Sequence, residues 1–355
     1  MRQKEAIWLG LDVGNGSLVH AIAREGQGWH VAKTDSIFAQ ARRTTFSLGS
    51  TNEVVAKQAL VYEGKPYVFG WPMVRRYGMT PIDTYDRDNR VAQQAYRLLV
   101  RLGVARAVVA AYPEGVPEEV HISLVLGTPT RDFTQSIVDT LHQWLGEQPI
   151  TLEKPNVTIT VDNMEVISQP IAAWLSTTID EEGELQERES ETTELILDMG
   201  AGTLDMSELM GLDLIDQTTI SLGAHDVWQS MANAIRQAKP GWNVNKMDVA
   251  DQWVKANQKG HPSPIVYTYH NGQTIDMEPF FCEAYTNLRD QLLGQLPSLF
   301  PDRERFASVL GFGGGILLFE EVFRDLFPTL EIPNDPQLSI AMGLGRYCRY
   351  LFPSV

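Results

Sequence analysis

Residues 195–209 read LILDMGAGTLDMSEL: an apolar run, an acid, a Gly-x-Gly turn, a hydroxyl and a second apolar run. This order predicts two antiparallel strands joined by a tight turn, with Asp198 at the end of the first strand. Nearly the same string, LGLDVGNGSLV, occupies residues 9–19. In alignment Leu9 meets Leu195, Leu11 meets Leu197 and Asp12 meets Asp198; Gly14, Gly16, Ser17 and Leu18 meet Gly200, Gly202, Thr203 and Leu204. The shared aspartate, glycines and hydroxyl predict a duplicated domain, with one copy of the hairpin in each of two lobes.

The chemistry of such a turn follows from its residues. Glycines on either side of one residue leave backbone N–H groups unshielded by Cβ atoms, and neighbouring N–H groups can converge on an anion. The hydroxyls of Ser17 and Thr203 add donors. One turn would hold one end of a polyphosphate, and two facing turns would clamp it. Asp12 and Asp198 beside phosphates would repel them unless a Mg²⁺ ion lay between, keeping several of its waters. The bland alternative is a plain hairpin tip, which the repetition of the aspartate disfavours. No GxxxxGK[ST] is present, and the glycines lead into a strand rather than a helix, so P-loop and dinucleotide readings are set aside.

Composition narrows the rest. The chain has 355 residues, long enough for two domains, with 43% hydrophobic and 21% charged residues, as in ordinary globular proteins. A formal net charge of −16 argues against direct binding to nucleic-acid phosphates. The two cysteines, Cys282 and Cys348, suggest neither a disulfide framework nor a thiolate metal site, and a cytoplasmic setting is the expectation. No apolar run approaches a membrane span, so no membrane association is expected.

Along the chain, residues 1–35 predict a meander of three strands, and the segment around Glu63-Gly64 a hairpin. The pattern of DNRVAQQAYRLLVRLGVA predicts a helix ending near Gly103. A strand ending at GTP, an amphipathic helix closed by Gly146 and the alternating run NVTITVDNMEVIS come next; Pro170 then sits in the first turn of a helix. Residues 180–194 hold eight acids and one arginine and read as a solvated loop. A third glycine cluster, GFGGG at 311–315, follows a strand and precedes a helix. Three consecutive glycines let a planar ligand approach the backbone, and the helix start favours an anion.

Five segments together resemble the motifs of the actin-like ATPase superfamily, in that superfamily's order and across the whole chain. GLDVGNGSLV and LILDMGAGTLDMS resemble its two phosphate motifs, and VLGFGGGILLF its adenosine motif. EVISQPIAAWL and DPQLSIAMGLGRYC resemble its two connecting helices. DVGNG, and DPQ before the last helix, resemble the bacterial plasmid-segregation (ParM-like) actins. The second turn is closer to the heat-shock chaperone version, although no peptide-binding domain follows it. The resemblance does not align residues 36–115.

The resemblance implies an α/β actin-like ATPase fold: two duplicated RNase H-like lobes with mixed sheets flanked by helices around a nucleotide cleft. Lobe I would comprise residues 1–165 plus 333–355, and lobe II residues 166–332. Asp12 and Asp198 would hold Mg²⁺, largely through water. Gly14, Asn15, Gly16 and Ser17, with Gly200, Ala201, Gly202 and Thr203, would clamp the phosphates of ATP or ADP, with GTP as the alternative nucleotide. Position 201 is Ala where eukaryotic actin has an acid. Gln169, just before Pro170, would orient the attacking water; capping the helix is its plain structural alternative. Gly313, Gly314 and Gly315 would contact the nucleoside, and Lys255 would reach the base or ribose.

The implied function is a homopolymeric filament that hydrolyses its nucleotide and segregates plasmid DNA through a basic DNA-binding adaptor. A sugar or small-molecule kinase of the same fold, and a membrane-associated division or shape protein, are the rival expectations.

Overall fold

The computed structural model describes residues 5–41, 58–86, 90–186, 192–258 and 264–354. The first copy of the repeated string forms β1 (Ile7–Val13) and β2 (Ser17–Arg24), with Asp12 opposite Val19 across the hairpin. β3 (His30–Asp35) continues the meander, and β4 (Phe38–Gln40), β5 (Leu60–Tyr62), β6 (Lys65–Phe69), β7 (Glu119–Thr128), β8 (Ile150–Lys154) and β9 (Asn156–Ser168) complete a nine-stranded sheet. Its order is β3-β2-β1-β7-β9-β8-β5-β6-β4.

The second copy forms β10 (Thr193–Met199) and β11 (Leu204–Met210), with Asp198 opposite Asp205. β12 (Asp213–Ile220) follows, β13 (Val266–Thr268) and β14 (Thr274–Asp276) form a separate small hairpin, and β15 (Ser308–Phe312) and β16 (Leu330–Glu331) complete a five-stranded sheet. Its order, β12-β11-β10-β15-β16, repeats β3-β2-β1-β7-β9 strand for strand. In both runs the first two pairings are antiparallel and the last two parallel. The duplication read from two short strings is therefore a duplication of whole sheet cores.

The helices are α1 (Trp71–Arg76), α2 (Gln94–Ala110), α3 (Gln135–Gly146), α4 (Gln169–Thr178), α5 (Ala224–Ala238), α6 (Lys246–Gln258), α7 (Glu278–Leu299), α8 (Gly314–Leu318), α9 (Glu320–Leu326) and α10 (Ser339–Leu351). Strand alternation sorts their partners. Leu9, Leu11 and Val13 face one core, shared with Leu99, Leu102 and Leu141 of α2 and α3. Leu195, Leu197 and Met199 face a second core, shared with Val227 and Met231 of α5 and Leu288 and Leu292 of α7. Trp8 and Ile196, on the opposite strand faces, join a third cluster built on Ala172 and Trp174 of α4 and Leu344 and Cys348 of α10. Both connecting helices thus lie between the sheets.

Close packing there needs small residues. A Cβ at Gly343 would lie 1.7 Å from the Ala172 carbonyl oxygen, and one at Gly10 would lie 2.2 Å from the Gly345 nitrogen. Arg346 of α10 also donates to the carbonyls of Ser176 (2.6 Å) and Ile179 (3.0 Å), satisfying orphan acceptors at the C-terminal end of α4.

Two expectations change, and a third gains detail. α2 does not stop near Gly103 but continues to Ala110. Gly103 instead gives β1 and β2 room, since a Cβ would sit 2.7 Å from Leu18 Cδ1. The helix after the third glycine cluster is only five residues long and breaks at Phe319, too short for a strong N-terminal dipole. The acidic loop begins with an ordered turn in which the Asp180 carboxylate accepts from the backbone N–H groups of Glu182 and Glu184. Its residues 187–191, like 42–57 and 87–89 of the unaligned segment, lie outside the described residues.

Candidate functional site

Both signature aspartates sit on the strand faces that look toward the space between the sheets. Asp12 shares its face with Trp8 and Gly10, and Asp198 shares its face with Ile196. Each is followed within two residues by its glycine turn, so acid and turn emerge together at the strand end. The two turns meet: a Cβ on Gly16 would lie 2.7 Å from Ala201 Cβ, and one on Gly202 would lie 3.2 Å from Asn15 Nδ2.

Around them opens a cleft of about 270 Å³, lined from one side by Asp12, Gly14, Asn15, Gly16 and Ser17 and from the other by Asp198, Gly200, Ala201, Gly202 and Thr203. Gln169, the first residue of α4, forms part of the floor, and its Nε2 donates to Asp12 Oδ1. Gly313, Gly314 and Gly315 line the far wall, as do Trp228 of α5 and Met247, Ala250 and Val254 of α6.

The exception is Lys255. It stands one residue past Val254, about 100° further round the helix, and is not among the cleft-lining residues. Its Nζ pairs instead with Asp251 at 2.8 Å, one turn back on the same helix. The Thr203 hydroxyl is also already engaged, donating to Asp205 Oδ2 at 2.7 Å.

The third glycine cluster is shaped as much by its own chain as by any ligand. Gly313 has φ +81°, a region that L side chains rarely adopt, and a Cβ there would approach the Met199 carbonyl oxygen to 2.4 Å and Asp198 Oδ1 to 2.6 Å. The cluster therefore lets the end of β15 press against the end of β10.

The electrostatics favour a cation. Burial raises the Asp12 carboxyl to about 6, against the lowering effects of the Gln169 hydrogen bond and the Arg90 and Lys33 charges. Burial, then Asp205 and Asp12, push Asp198 well above the ordinary carboxylate range. Asp198 Oδ1 is buried without a hydrogen-bond partner among the described residues. A carboxylate oxygen stranded in this way is costly, and a hard cation would satisfy it. Among the described residues no group of three His, Cys, Asp or Glu forms a metal cage. An ion held by these two acids would draw its remaining ligands from water and phosphate oxygens, as Mg²⁺ prefers.

Sequence reasoning missed several participants. Lys33, on the edge strand β3, lines the cleft and donates to Gln337 Oε1. Burial lowers its pKa, against the raising effects of Asp35 and Asp12. Arg90 is buried and donates to the carbonyls of Val13 (2.5 Å), Gly14 (2.8 Å) and Thr84 (3.0 Å), pinning the first turn from behind. Nothing in its local sequence marks it. Asp205 was findable, because a hairpin closed at Met199 and Leu204 places it opposite Asp198.

Comparisons with known proteins agree with this geometry. Residues 10–171 match the family model described as the N-terminal domain of actin-like proteins. No curated protein matches the sequence significantly. Among solved structures, the chain resembles a ParM protein in a 15-stranded filament from Clostridium botulinum, at 16% identity and TM-score 0.71, over 98% of this chain and 99% of that one. It also resembles Ta0583, an archaeal actin homolog, in complex with ADP, at 16% identity and TM-score 0.68, over 96% and 98%. A third likeness is to MamK in a double helical filament, at 18% identity and TM-score 0.63, over 96% and 98%. Identities this low establish the fold, which is actin-like over nearly the whole chain.

Proposed function

We propose that this chain, which has an actin-like fold and whose residues 10–171 match the model of the actin-like N-terminal domain, is a filament-forming ATPase that segregates plasmid DNA. The observation that carries the reading is convergence: two glycine turns, each with its buried aspartate, and Gln169, from three distant stretches of sequence, line one cleft. The lobes are taken as residues 1–165 with 333–355, and residues 166–332.

In this reading the backbone N–H groups of residues 14–17 and 200–203 hold the phosphates, with Lys33 adding a positive charge. Asp12 and Asp198 would hold Mg²⁺, which when bound would supply neutralisation of phosphate charge. Gln169, fixed by its bond to Asp12, presents its amide to the attacking water and does not itself take the proton. The apolar wall of Trp228, Met247 and Val254 receives the base, so ATP binds and GTP is the alternative substrate. Triphosphate bridging both turns favours one angle between the lobes, and hydrolysis releases it.

Filament contacts that depend on that angle would assemble with ATP and loosen after hydrolysis. The filaments reported for the ParM and MamK relatives support self-association here. A net charge of −16 suits a basic DNA-binding adaptor rather than direct contact with DNA. Among the described residues no helix is long and apolar enough to cross a membrane, and the reading places the filament in the cytoplasm.

Light scattering after addition of Mg-ATP, with phosphate release followed in parallel, tests the proposal. Assembly should come first and phosphate release should follow. Absence of assembly together with sugar-stimulated ATP consumption would replace it with a kinase.

A further inference from the structure

Leu18, His20 and Ile22 point to the same side of β2, where Leu18 and Ile22 pack into the core beneath α2. A third apolar residue would complete that row, yet the chain places a histidine there. His20 is 1% exposed, and neither of its ring nitrogens has a hydrogen-bond partner among the described residues. Beside it lies a cavity of about 280 Å³ that shares no lining residue with the cleft.

The helical wall of this cavity comes from Arg106, Val109 and Ala110, at positions that share one face of α2. His30, on an exposed stretch of β3, stands at the mouth, its ring centroid 5.7 Å from that of His20. Among the described residues the other walls are apolar apart from the Gln58 amide, and no carboxylate lines the cavity. The Arg106 guanidinium lies over the Phe69 ring, 5.5 Å from its centroid, and no carboxylate among the described residues pairs with it.

These groups are matched to one kind of ligand. Burial, then His30 and Arg106, hold the His20 imidazole neutral by pushing its pKa down to about 3. Burial also lowers that of Arg106. The guanidinium offers a planar fork of N–H donors and no acceptor, and a neutral imidazole offers one more donor. A half-buried cation without a counter-ion and a buried imidazole without a partner, among the described residues, are both satisfied by one anion. In a chain of net charge −16, a cavity with a cation and, among the described residues, no acid is set apart from its surroundings.

We propose that this cavity binds a small oxyanion, a short carboxylate or inorganic phosphate, gripped by Arg106 with His20 and His30 as further donors. The proposal does not rest on nucleotide binding, since the two cavities are separate.

The chain has seven histidines, so selective isotope labelling of their rings gives a readable magnetic-resonance spectrum. Titration with inorganic phosphate, and separately with butyrate, should shift the His20 and His30 signals saturably. A response to only one probe identifies the ligand class. Arg106→Met should weaken that response at least about tenfold. His20→Leu completes the apolar row, so it should fold at least as stably as the parent and lose the His30 response. No saturable shift from either probe, an unchanged titration in Arg106→Met, or a response confined to His225 in the cleft would overturn the proposal.

Discussion

At the scale of single residues, the two aspartates are held in a state the free protein tolerates poorly. Asp12 titrates near 6 rather than near the ordinary 3.8 because burial disfavours its charge. A raised folded-state pKa means that this group's contribution to stability is full below the unfolded value and is lost as pH rises to about 6. Cation binding runs the opposite way, because only the ionised carboxylate is a good ligand. The Mg²⁺-dependent part of ADP affinity should therefore fall as pH drops through about 6, while affinity measured in EDTA changes little. Titrations with a fluorescent ADP in both conditions check this, and parallel pH profiles would remove the aspartates from the metal site. Gln169 makes its only direct side-chain bond to Asp12 among the described residues. Gln169→Ala should slow phosphate release by about 10²-fold and leave filaments that persist after ATP is added, which pelleting against time would show. Placement at the cleft was legible at this scale wherever a motif was contiguous. Asp12, Asp198, Gln169 and the glycines could be read, whereas Lys33 and Arg90 act from neighbouring segments and carry no local signature.

At the scale of elements, the crossing of the two connecting helices decides how closely the sheets approach. Gly343 sits where a Cβ would overlap the Ala172 carbonyl at 1.7 Å, a contact with rigid backbone that no rotamer relieves. Gly343→Ala should cost at least about 1–3 kcal/mol. Gly294, exposed on α7 with open space around it, gives the contrasting case. Gly294→Ala should stabilise by about 0.5–1 kcal/mol through helix propensity alone. Chemical denaturation of both variants gives the comparison, and equal effects would show that the crossing tolerates extra volume. The same reasoning explains the misread end of α2. Gly103 looks like a helix terminator by propensity, but tertiary contact with Leu11 and Leu18 requires a small residue in mid-helix. Elements whose signal was local, such as the hairpin at Glu63-Gly64 and the alternating β9, emerged as read, because turn chemistry and strand period fix them without distant partners.

At the scale of the whole molecule, the duplicated strings announced the two sheets, but the contacts that join them across the cleft mouth were invisible in sequence. Residues 71–85, in the segment that resisted alignment, supply them. Trp71 Nε1 donates to Asp248 Oδ1 at 3.0 Å, and Arg75 Nε pairs with the same oxygen at 3.0 Å. Tyr85 lies under Lys246, whose Nζ is 3.8 Å from the ring centroid, and beside His225 at 5.1 Å. Asp248 and Lys246 belong to α6, the helix that also gives Met247, Ala250 and Val254 to the cleft wall. The wall that would cover the base is thus tied to residues 71–85, so opening the cleft there must break the pair between buried Asp248 and half-buried Arg75. Asp248→Asn keeps an acceptor for Trp71 but removes the charge facing Arg75. Stopped-flow release of fluorescent ADP should become about threefold to tenfold faster, equivalent to about 0.7–1.4 kcal/mol lost from the closed state. Glu320→Gln, which breaks only the exposed pair with Arg324 on α9, should leave release unchanged. If Asp248→Asn released ADP at the parent rate while Glu320→Gln behaved as expected, the closed cleft would be held by the glycine turns and the connecting helices alone.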